Sequence, residues 1–445
     1  MTDGGRQIPE AVPDRGAKPA GEIRARWAGV EAEVWTERRL TALEQGVIGG
    51  KWHSLIDQVY ALPNLRRAFE RVKANEGAAG VDHVTVEEFE RHLEANLEKL
   101  AQALAEGSYR PQAVRRHWIT KLGSKERRPL GIPTVRDRVV QTALRAVLEP
   151  IFERDFAGQS YGCRPKRGCK DALRRVDTLL KQGYTWVVDA DLKSYLDTIP
   201  RAELIARMQA KVSDGRMLKL LEAFLTQGVL EEMNLGTPEA GTPQGAVISP
   251  LLSNIYLDAL DHEMAGKGIE MVRYADDFVV LCGTEGEAQQ ALAEVQQGTA
   301  QAGLTLHPEK TRIVDATQPG GFDFLGYHFE QGCKWPRRKS ERKLRDTIRA
   351  KTRRRSGQSL PTTIVDLNRT LKGWFGYFKH SHKFTFATLD GWVRMRLRSI
   401  LRYRRGGQGR GRGADHQRWP NAYFAELGLF SLVTAHAAAG QSSRR

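Results

Sequence analysis

Apolar residues recur at intervals of three and four through much of the first hundred positions. Leu55, Ile56, Val59, Tyr60 and Leu62 lead into LRRAFERVKANEG, and VTVEEFERHLEANLEKLAQAL follows, with Thr85 placed to cap a helix and Glu88 three residues on. The spacing predicts helices from about 26 to 107, interrupted by a tight Gly-rich loop, NEGAAGVD. From 111 to 330 short β-like runs (RRHWITKL, TWVVDADL, IEMVRY, FVVLC) alternate with helical stretches such as VVQTALRAVLEPIFERDF, which predicts an α+β domain. Beyond Trp335 the helical period returns. Ile364, Leu367, Leu371, Trp374, Phe375 and Phe378 form one stripe, and Leu389, Val393, Leu397 and Leu401 another. Each stripe needs a partner, so a small helical bundle is expected.

The ends read differently. Residues 1–25 hold too few apolar side chains to offset ordering entropy and are expected to be disordered. RRGGQGRGRGADHQ reads as a flexible basic linker before a short apolar segment, WPNAYFAELGLFSLVTAHAAA. The expected divisions are therefore a disordered or partly helical lead (1–45), a helical extension (46–110), an α+β unit (111–335), a helical bundle (336–405), and a basic linker with a short nucleic-acid-binding end (406–445).

Charge narrows the choice of partner. The 445-residue chain carries 69 Lys and Arg against 53 Asp and Glu, a net charge of +16 that favours a polyanion over an acidic small substrate. The excess sits at one end, because residues 331–445 hold 27 basic and 6 acidic residues. RRKSERKLRDTIRAKTRRR alone places 11 basic residues between 337 and 355, a density that calls for phosphates and predicts binding that weakens steeply with salt. Four cysteines without a C-x-x-C pair give neither a disulfide framework nor a cysteine-rich zinc site, which fits a reducing, cytoplasmic setting. No run of about 18 apolar residues predicts a membrane span, and the start lacks the apolar core of a secretory signal.

Candidate chemistry centres on acids. The two-residue period of a strand puts Trp186, Val188, Ala190 and Leu192 on one face of TWVVDADL and Val187, Asp189 and Asp191 on the other. In RYADDFVVLC two apolar runs flank a tight turn assigned Asp276 and Asp277. Adjacent carboxylates repel unless they are solvated or a cation neutralises them. If both strands share a sheet, Asp191 joins the pair and the trio can hold two Mg2+ ions, with Mn2+ as a substitute. Asp189 and Asp197 read as surface charge. In AGTPQGAVISPLLSNIYLDALD an irregular Gly/Pro loop runs into a helix starting at Ser249-Pro250, with Leu251, Leu252, Ile255 and Ala259 as its buried stripe. Gln244 in that loop either meets a flat nucleotide ring or sugar or belongs to an ordinary loop.

These segments, in order, resemble a bacterial group II intron-encoded reverse transcriptase and maturase, from about residue 50 to the end. NEGAAGVD resembles the N-terminal extension; RPLGIPTVRDRVVQTAL the fingers; SYGCRPKRGCKDAL the approach to the palm; and VVDADLKSYLDTIP, GTPQGAVISPLLSNIYLDALD and YADD the active-site motifs. GLTLHPEKTRI and FDFLGYHF resemble later palm segments, and LNRTLKGWFGYFK the thumb or maturase segment. The resemblance implies a right-hand polymerase of α+β class, with fingers, an antiparallel palm sheet and an α-helical thumb/maturase domain. It implies Asp191, Asp276 and Asp277 as catalytic residues, Asp191, Leu192, Asp276 and Asp277 as metal ligands, and a deoxynucleoside triphosphate held by Lys121, Arg128, Leu192, Leu196 and Gln244. It also implies a bundle that grips intron RNA, the DNA target and the primer strand through Arg353, Arg354, Arg355, Lys372, Arg394, Arg396 and Arg398.

Two departures stand out. Leu196 occupies a position that is aromatic in the family and resembles its gate against the ribose 2′-hydroxyl. Either sugar discrimination is relaxed, Tyr195 compensates, or the swap is neutral. Nothing after residue 406 resembles the family's endonuclease module, so priming is expected to come from elsewhere. The resemblance implies both DNA synthesis and splicing support; a splicing-only maturase and a relative recruited to host defence or DNA repair are the alternatives.

Overall fold

The computed structural model describes residues 20–120, 127–231, 234–236, 241 and 245–442. Its strands, in chain order, are β1 (Val114–Thr120), β2 (Arg127–Ile132), β3 (Trp186–Asp191), β4 (Val229–Glu231), β5 (Asn234–Gly236), β6 (Glu270–Tyr274), β7 (Asp277–Cys282), β8 (Arg312–Asp315), β9 (Phe322–Phe324), β10 (Tyr327–Glu330) and β11 (Cys333–Pro336). They form three sheets, ordered β2-β1-β4-β5, β6-β7-β3-β8 and β11-β10-β9. The chain divides into two units. One holds the described residues up to 158, with 163–166 and 194–259; the other holds 159–162, 167–193 and everything from 260 on.

In the first unit the predicted helices form where the apolar spacing and caps place them. Thr85 accepts a hydrogen bond from the Glu88 amide (3.2 Å) and opens Val86–Arg91. Helix Val135–Glu153 buries Val139, Val140, Ala143, Leu144, Val147 and Leu148 almost completely. Its Arg138 donates to the carbonyls of Glu76 (3.1 Å) and Ala78 (2.9 Å), which pins the NEGAAGVD loop. Gly80 lies so close there that a Cβ would stand 2.6 Å from Thr134 Cα. β1 and β2 pair antiparallel, and β4 joins β1 in parallel. Helix Ser249–Gly266 starts at Ser249-Pro250 as the sequence predicts, although Ala259 of its predicted stripe is exposed.

The second unit is built on the antiparallel sheet β6-β7-β3-β8. Val187, Val272, Val279 and Leu281 share a core with Ala172, Val176 and Leu179 of helix Cys169–Lys181 and with Phe322, Phe324, Tyr327 and Phe329 of the small sheet. Helix Glu285–Gln301 packs on β3 and β7. Helices Arg338–Lys351, Leu360–Phe378 and Lys383–Arg404 form the expected bundle around Leu344, Ile348, Ile364, Leu367, Leu371, Leu389, Val393 and Leu397.

The predicted linker and separate end segment differ from what the structure shows. Trp419, Phe424 and Leu432 bury themselves in the bundle core, so 406–442 completes the bundle. Arg402 pairs with Asp415 at 2.7 Å, the Arg412 amide donates to the same carboxylate at 2.9 Å, and Asp390 accepts from the Leu432 amide at 3.0 Å. Glycine and arginine content suggested flexibility, whereas the aromatic residues after it supply the burial that orders the segment. The predicted disorder of 1–25 lies mostly outside the described residues, and its end forms helix Ala20–Arg26. No described helix is long and apolar enough to cross a membrane.

Candidate active site

The predicted acids meet on one sheet. In the β3–β7 register Asp191 faces Asp277 and Asp189 faces Val279. Directly opposed residues of antiparallel strands point to the same side with Cα atoms about 4.5–5.5 Å apart. Across β6–β7 the pairing Tyr274 with Asp277 leaves only Ala275 and Asp276 in the turn. Asp277 is thus the first residue of β7 rather than a turn residue, because Ala275 takes a left-handed φ of 58° and closes the hairpin one position earlier than the sequence suggests. Asp276 is exposed at the tip and Asp277 half-buried behind it.

The electrostatics are those of crowded anions. Burial pushes the Asp277 carboxyl up to about 7, and Asp189, Asp276 and Asp191 push the same way, against Arg337. Asp189 is not the surface charge expected from sequence. It shares the Asp191 face, pairs with Arg312 at 3.3 Å, and burial raises its pKa. Its partner lies 123 residues away in sequence, which the local pattern could not show. Sequence reasoning also missed Lys310, whose Nζ donates to Asp191 Oδ2 from the HPEK turn; the charged residue inside GLTLHPEKTRI was the available signal. The Asp191 carbonyl accepts from the His307 amide (2.8 Å), and Leu192, buried, bridges to Leu306.

Among the described residues no three carboxylate, imidazole or thiolate side chains stand ready to close on one ion, with Asp191 turned to Lys310 and Asp189 to Arg312. The donor set nevertheless fits a hard divalent cation. It is all oxygen, burial with the neighbouring carboxylates raises the Asp277 pKa to about 7, and Asp191 already pairs with a cationic ammonium.

Of the nucleotide-binding candidates, the described Arg128 and Leu196 belong to the first unit and Leu192 to the second. Lys121 and Gln244 lie outside the described residues, and Arg128 sits on β2 opposite Ile119. The glycines that bracket Gln244 are tightly placed. Gly241 (φ 81°) leaves no room for a Cβ, which would stand 2.6 Å from Asp197 Cα, and a Cβ on Gly245 (φ 101°) would stand 2.5 Å from the Gly131 carbonyl oxygen of β2. Leu196 is half-exposed on the short helix Tyr195–Thr198. Tyr195 does not stand in for an aromatic gate: it is buried, and its hydroxyl donates to the Ser253 carbonyl at 2.8 Å. Asp197 is exposed, as expected.

The basic candidates divide. Arg353, Arg355 and Lys372 are exposed and Arg354 half-exposed. Arg394 and Arg396 are partly covered, and Arg396 donates to the Thr352 carbonyl (2.8 Å) and hydroxyl (3.0 Å) at the end of helix Arg338–Lys351. Burial and the guanidinium groups of Arg354, Arg349 and Arg410 lower its pKa. Arg398 faces inward at 3% exposure, donating to the Trp419 carbonyl (2.9 Å) and Asn421 Oδ1 (2.8 Å). Positions two apart on a helix are about 200° apart, so the alternating arginines cannot share one outer face. The expectation that Arg398 contacts nucleic acid is corrected accordingly. Trp374 and Phe375 pack against the bundle core.

Two family models match this chain, one after the other. The family model "Reverse transcriptase (RNA-dependent DNA polymerase)" matches residues 119–329, and "Group II intron, maturase-specific domain" matches 341–419. "Group II intron-encoded protein LtrA" of Lactococcus lactis subsp. cremoris is 40% identical over 196 residues, covering 44% of this chain and 32% of that protein. "Protein YkfC" of Escherichia coli K12 is 35% identical over 288 residues, covering 56% of this chain and 74% of that protein. "Nuclear intron maturase 4, mitochondrial" of Arabidopsis thaliana is 30% identical over 223 residues, covering 50% and 27%. The match thus spans about a third of the length of the Lactococcus relative. With an acid pair across an antiparallel palm sheet and both family models matched in sequence order, the chain belongs to the group II intron reverse transcriptase and maturase family.

Proposed function

We propose that this protein is an RNA-directed DNA polymerase that copies a group II intron RNA and also binds that RNA to support its splicing. The observation that carries the reading is the cross-strand pair Asp191 and Asp277, with Asp276 at the adjoining tip and Asp277 held at about 7 by burial and its neighbours. Two bound Mg2+ ions would lower the pKa of a primer 3′-hydroxyl and neutralise the triphosphate, and Mn2+ would substitute. The chain's own part is placement. Asp191, Asp276 and Asp277 would hold the ions, with the Leu192 carbonyl as a further oxygen donor. Lys310, the ion-pair partner of Asp191, would have to release that carboxylate to a bound cation. Lys121, Arg128 and Gln244 orient the deoxynucleoside triphosphate. The primer 3′-hydroxyl would give its proton to solvent water, its oxygen would bond to the α-phosphorus, and the bond between the α- and β-phosphates would break to release pyrophosphate. Exposed Arg353, Arg355 and Lys372 contribute phosphate contacts to intron RNA and to the DNA target and primer strand.

The test is extension of a labelled DNA primer on an RNA template, with and without Mg2+. Asp276→Ala should abolish extension while intron binding and splicing support persist. A wild-type protein that binds and splices the intron but extends no primer would leave the splicing role alone.

A further inference from the structure

The acidic hairpin depends on a turn that its sequence does not favour. Ala275 occupies the first central position of a two-residue turn with φ 58°, a conformation in which a residue with a Cβ is strained. Such strain persists only where surrounding contacts over-determine it. Here two sets of contacts do so, neither involving the acids.

The first is an ion pair with no solvent exposure at either partner. Arg273 Nε donates to Asp261 Oδ1 at 2.7 Å and Nη2 donates to Asp261 Oδ2, from helix Ser249–Gly266. Nη1 donates to the Ala275 carbonyl (2.9 Å), and Nη2 donates to Ser160 Oγ as well (2.8 Å). A buried fork with this many acceptors fixes a direction as well as a charge. The second is the segment 159–162, part of the SYGCRP motif. It runs beside the end of β6, with the Tyr161 amide on the Arg273 carbonyl (2.9 Å) and the Arg273 amide on the Gln159 carbonyl (3.0 Å). Gly162 then lies flat against the turn: a Cβ there would collide with the Ala275 amide nitrogen and stand 2.8 Å from the Tyr274 carbonyl carbon.

We propose that the strap 159–162 and the buried Arg273–Asp261 pair are positioning elements that lock Ala275 in its left-handed conformation and so fix where Asp276 and Asp277 stand. Arg273 bonds the Ala275 carbonyl and Gly162 lies against the peptide between Tyr274 and Ala275, so the two brace the peptides on either side of Ala275 through distinct contacts. The kinetic part of the test below rests on the polymerase reading; the binding part does not.

The 445-residue chain is compared with its Gly162→Ala, Arg273→Lys and Ser160→Ala variants. Free Mn2+ is titrated by electron paramagnetic resonance without nucleotide, primer extension gives kcat and the nucleotide KM, and a thermal melt gives Tm. In Gly162→Ala the displaced turn should weaken Mn2+ binding severalfold and lower kcat by about tenfold or more, because small misplacements of reacting groups are costly. The nucleotide KM should stay within about twofold, since ground-state nucleotide binding is not the function assigned to the turn. Tm should fall by only a few degrees. Arg273→Lys keeps the charge but loses the fork, and should show the same kcat loss with a larger fall in Tm; Ser160→Ala should be mildest. Wild-type Mn2+ affinity and kcat in both Gly162→Ala and Arg273→Lys would overturn the proposal. So would losses that merely track the unfolded fraction. If the wild type extends no primer, the polymerase reading falls, while the Mn2+ affinity of Gly162→Ala against wild type still decides the positioning role.

Discussion

The raised pKa of Asp277 makes a stability prediction that needs no substrate. An acid moved from 3.8 in the unfolded chain to about 7 in the folded one binds its proton more tightly when folded. Its contribution to stability is complete below the unfolded pKa and is lost as pH rises through about 7. Between about pH 5.5 and the folded value near 7 the loss is ~2 kcal/mol, at ~1.4 kcal/mol per unit. That corresponds to roughly 3–5 °C in Tm for a unit of this size. The assay is a thermal melt in chelator at about pH 5.5 and about pH 8.5, for wild type and Asp277→Asn. Wild type should lose ~2 kcal/mol more than the variant over that interval, and Mg2+ should return the difference at the higher pH. A variant that destabilises in parallel with wild type would refute the reasoning, because the titration would then belong to another group.

Other outcomes follow from the same contacts. Arg398→Ala strands the Trp419 carbonyl and opens the bundle, so it should cost ~2–3 kcal/mol in denaturant melts with little change in the salt dependence of RNA binding. Arg353→Ala and Arg355→Ala should do the reverse, leaving the melt unchanged and each lowering the salt slope of RNA binding by about one. Leu432→Ala, in the segment that sequence reading set apart, should destabilise the bundle by ~2–5 kcal/mol. Leu196→Phe should raise the preference for deoxy- over ribonucleotides in single-nucleotide incorporation; equal preferences in variant and parent would mean that residue 196 does not gate the sugar.

The legible parts of this protein were those set by local period. The alternation in TWVVDADL put Asp191 on a definite face, and Ser249-Pro250 marked a helix start that the structure keeps. What stayed hidden depended on distant partners. Asp189 looked like surface charge because Arg312 arrives from another strand of the sheet. Arg273 reads in sequence as one more basic residue before the acidic motif, and only folding brings Asp261 and Ser160 around it. Arg398 misled because its acceptors, the Trp419 carbonyl and Asn421 Oδ1, come from a segment more than twenty positions further on, and only folding turns this arginine inward. The C-terminal segment misled by composition, since its glycines and arginines outweighed Trp419, Phe424 and Leu432 in the reading but not in the packing.

The most direct measurement is a crystal of the protein soaked with Mn2+ and a non-reactive deoxynucleoside triphosphate analogue, with an anomalous difference map recorded at the manganese edge. The account predicts peaks between the carboxylates of Asp191 and Asp277, with Lys310 moved off Asp191. Manganese bound elsewhere, with the Lys310–Asp191 pair intact at saturating ion, would contradict it.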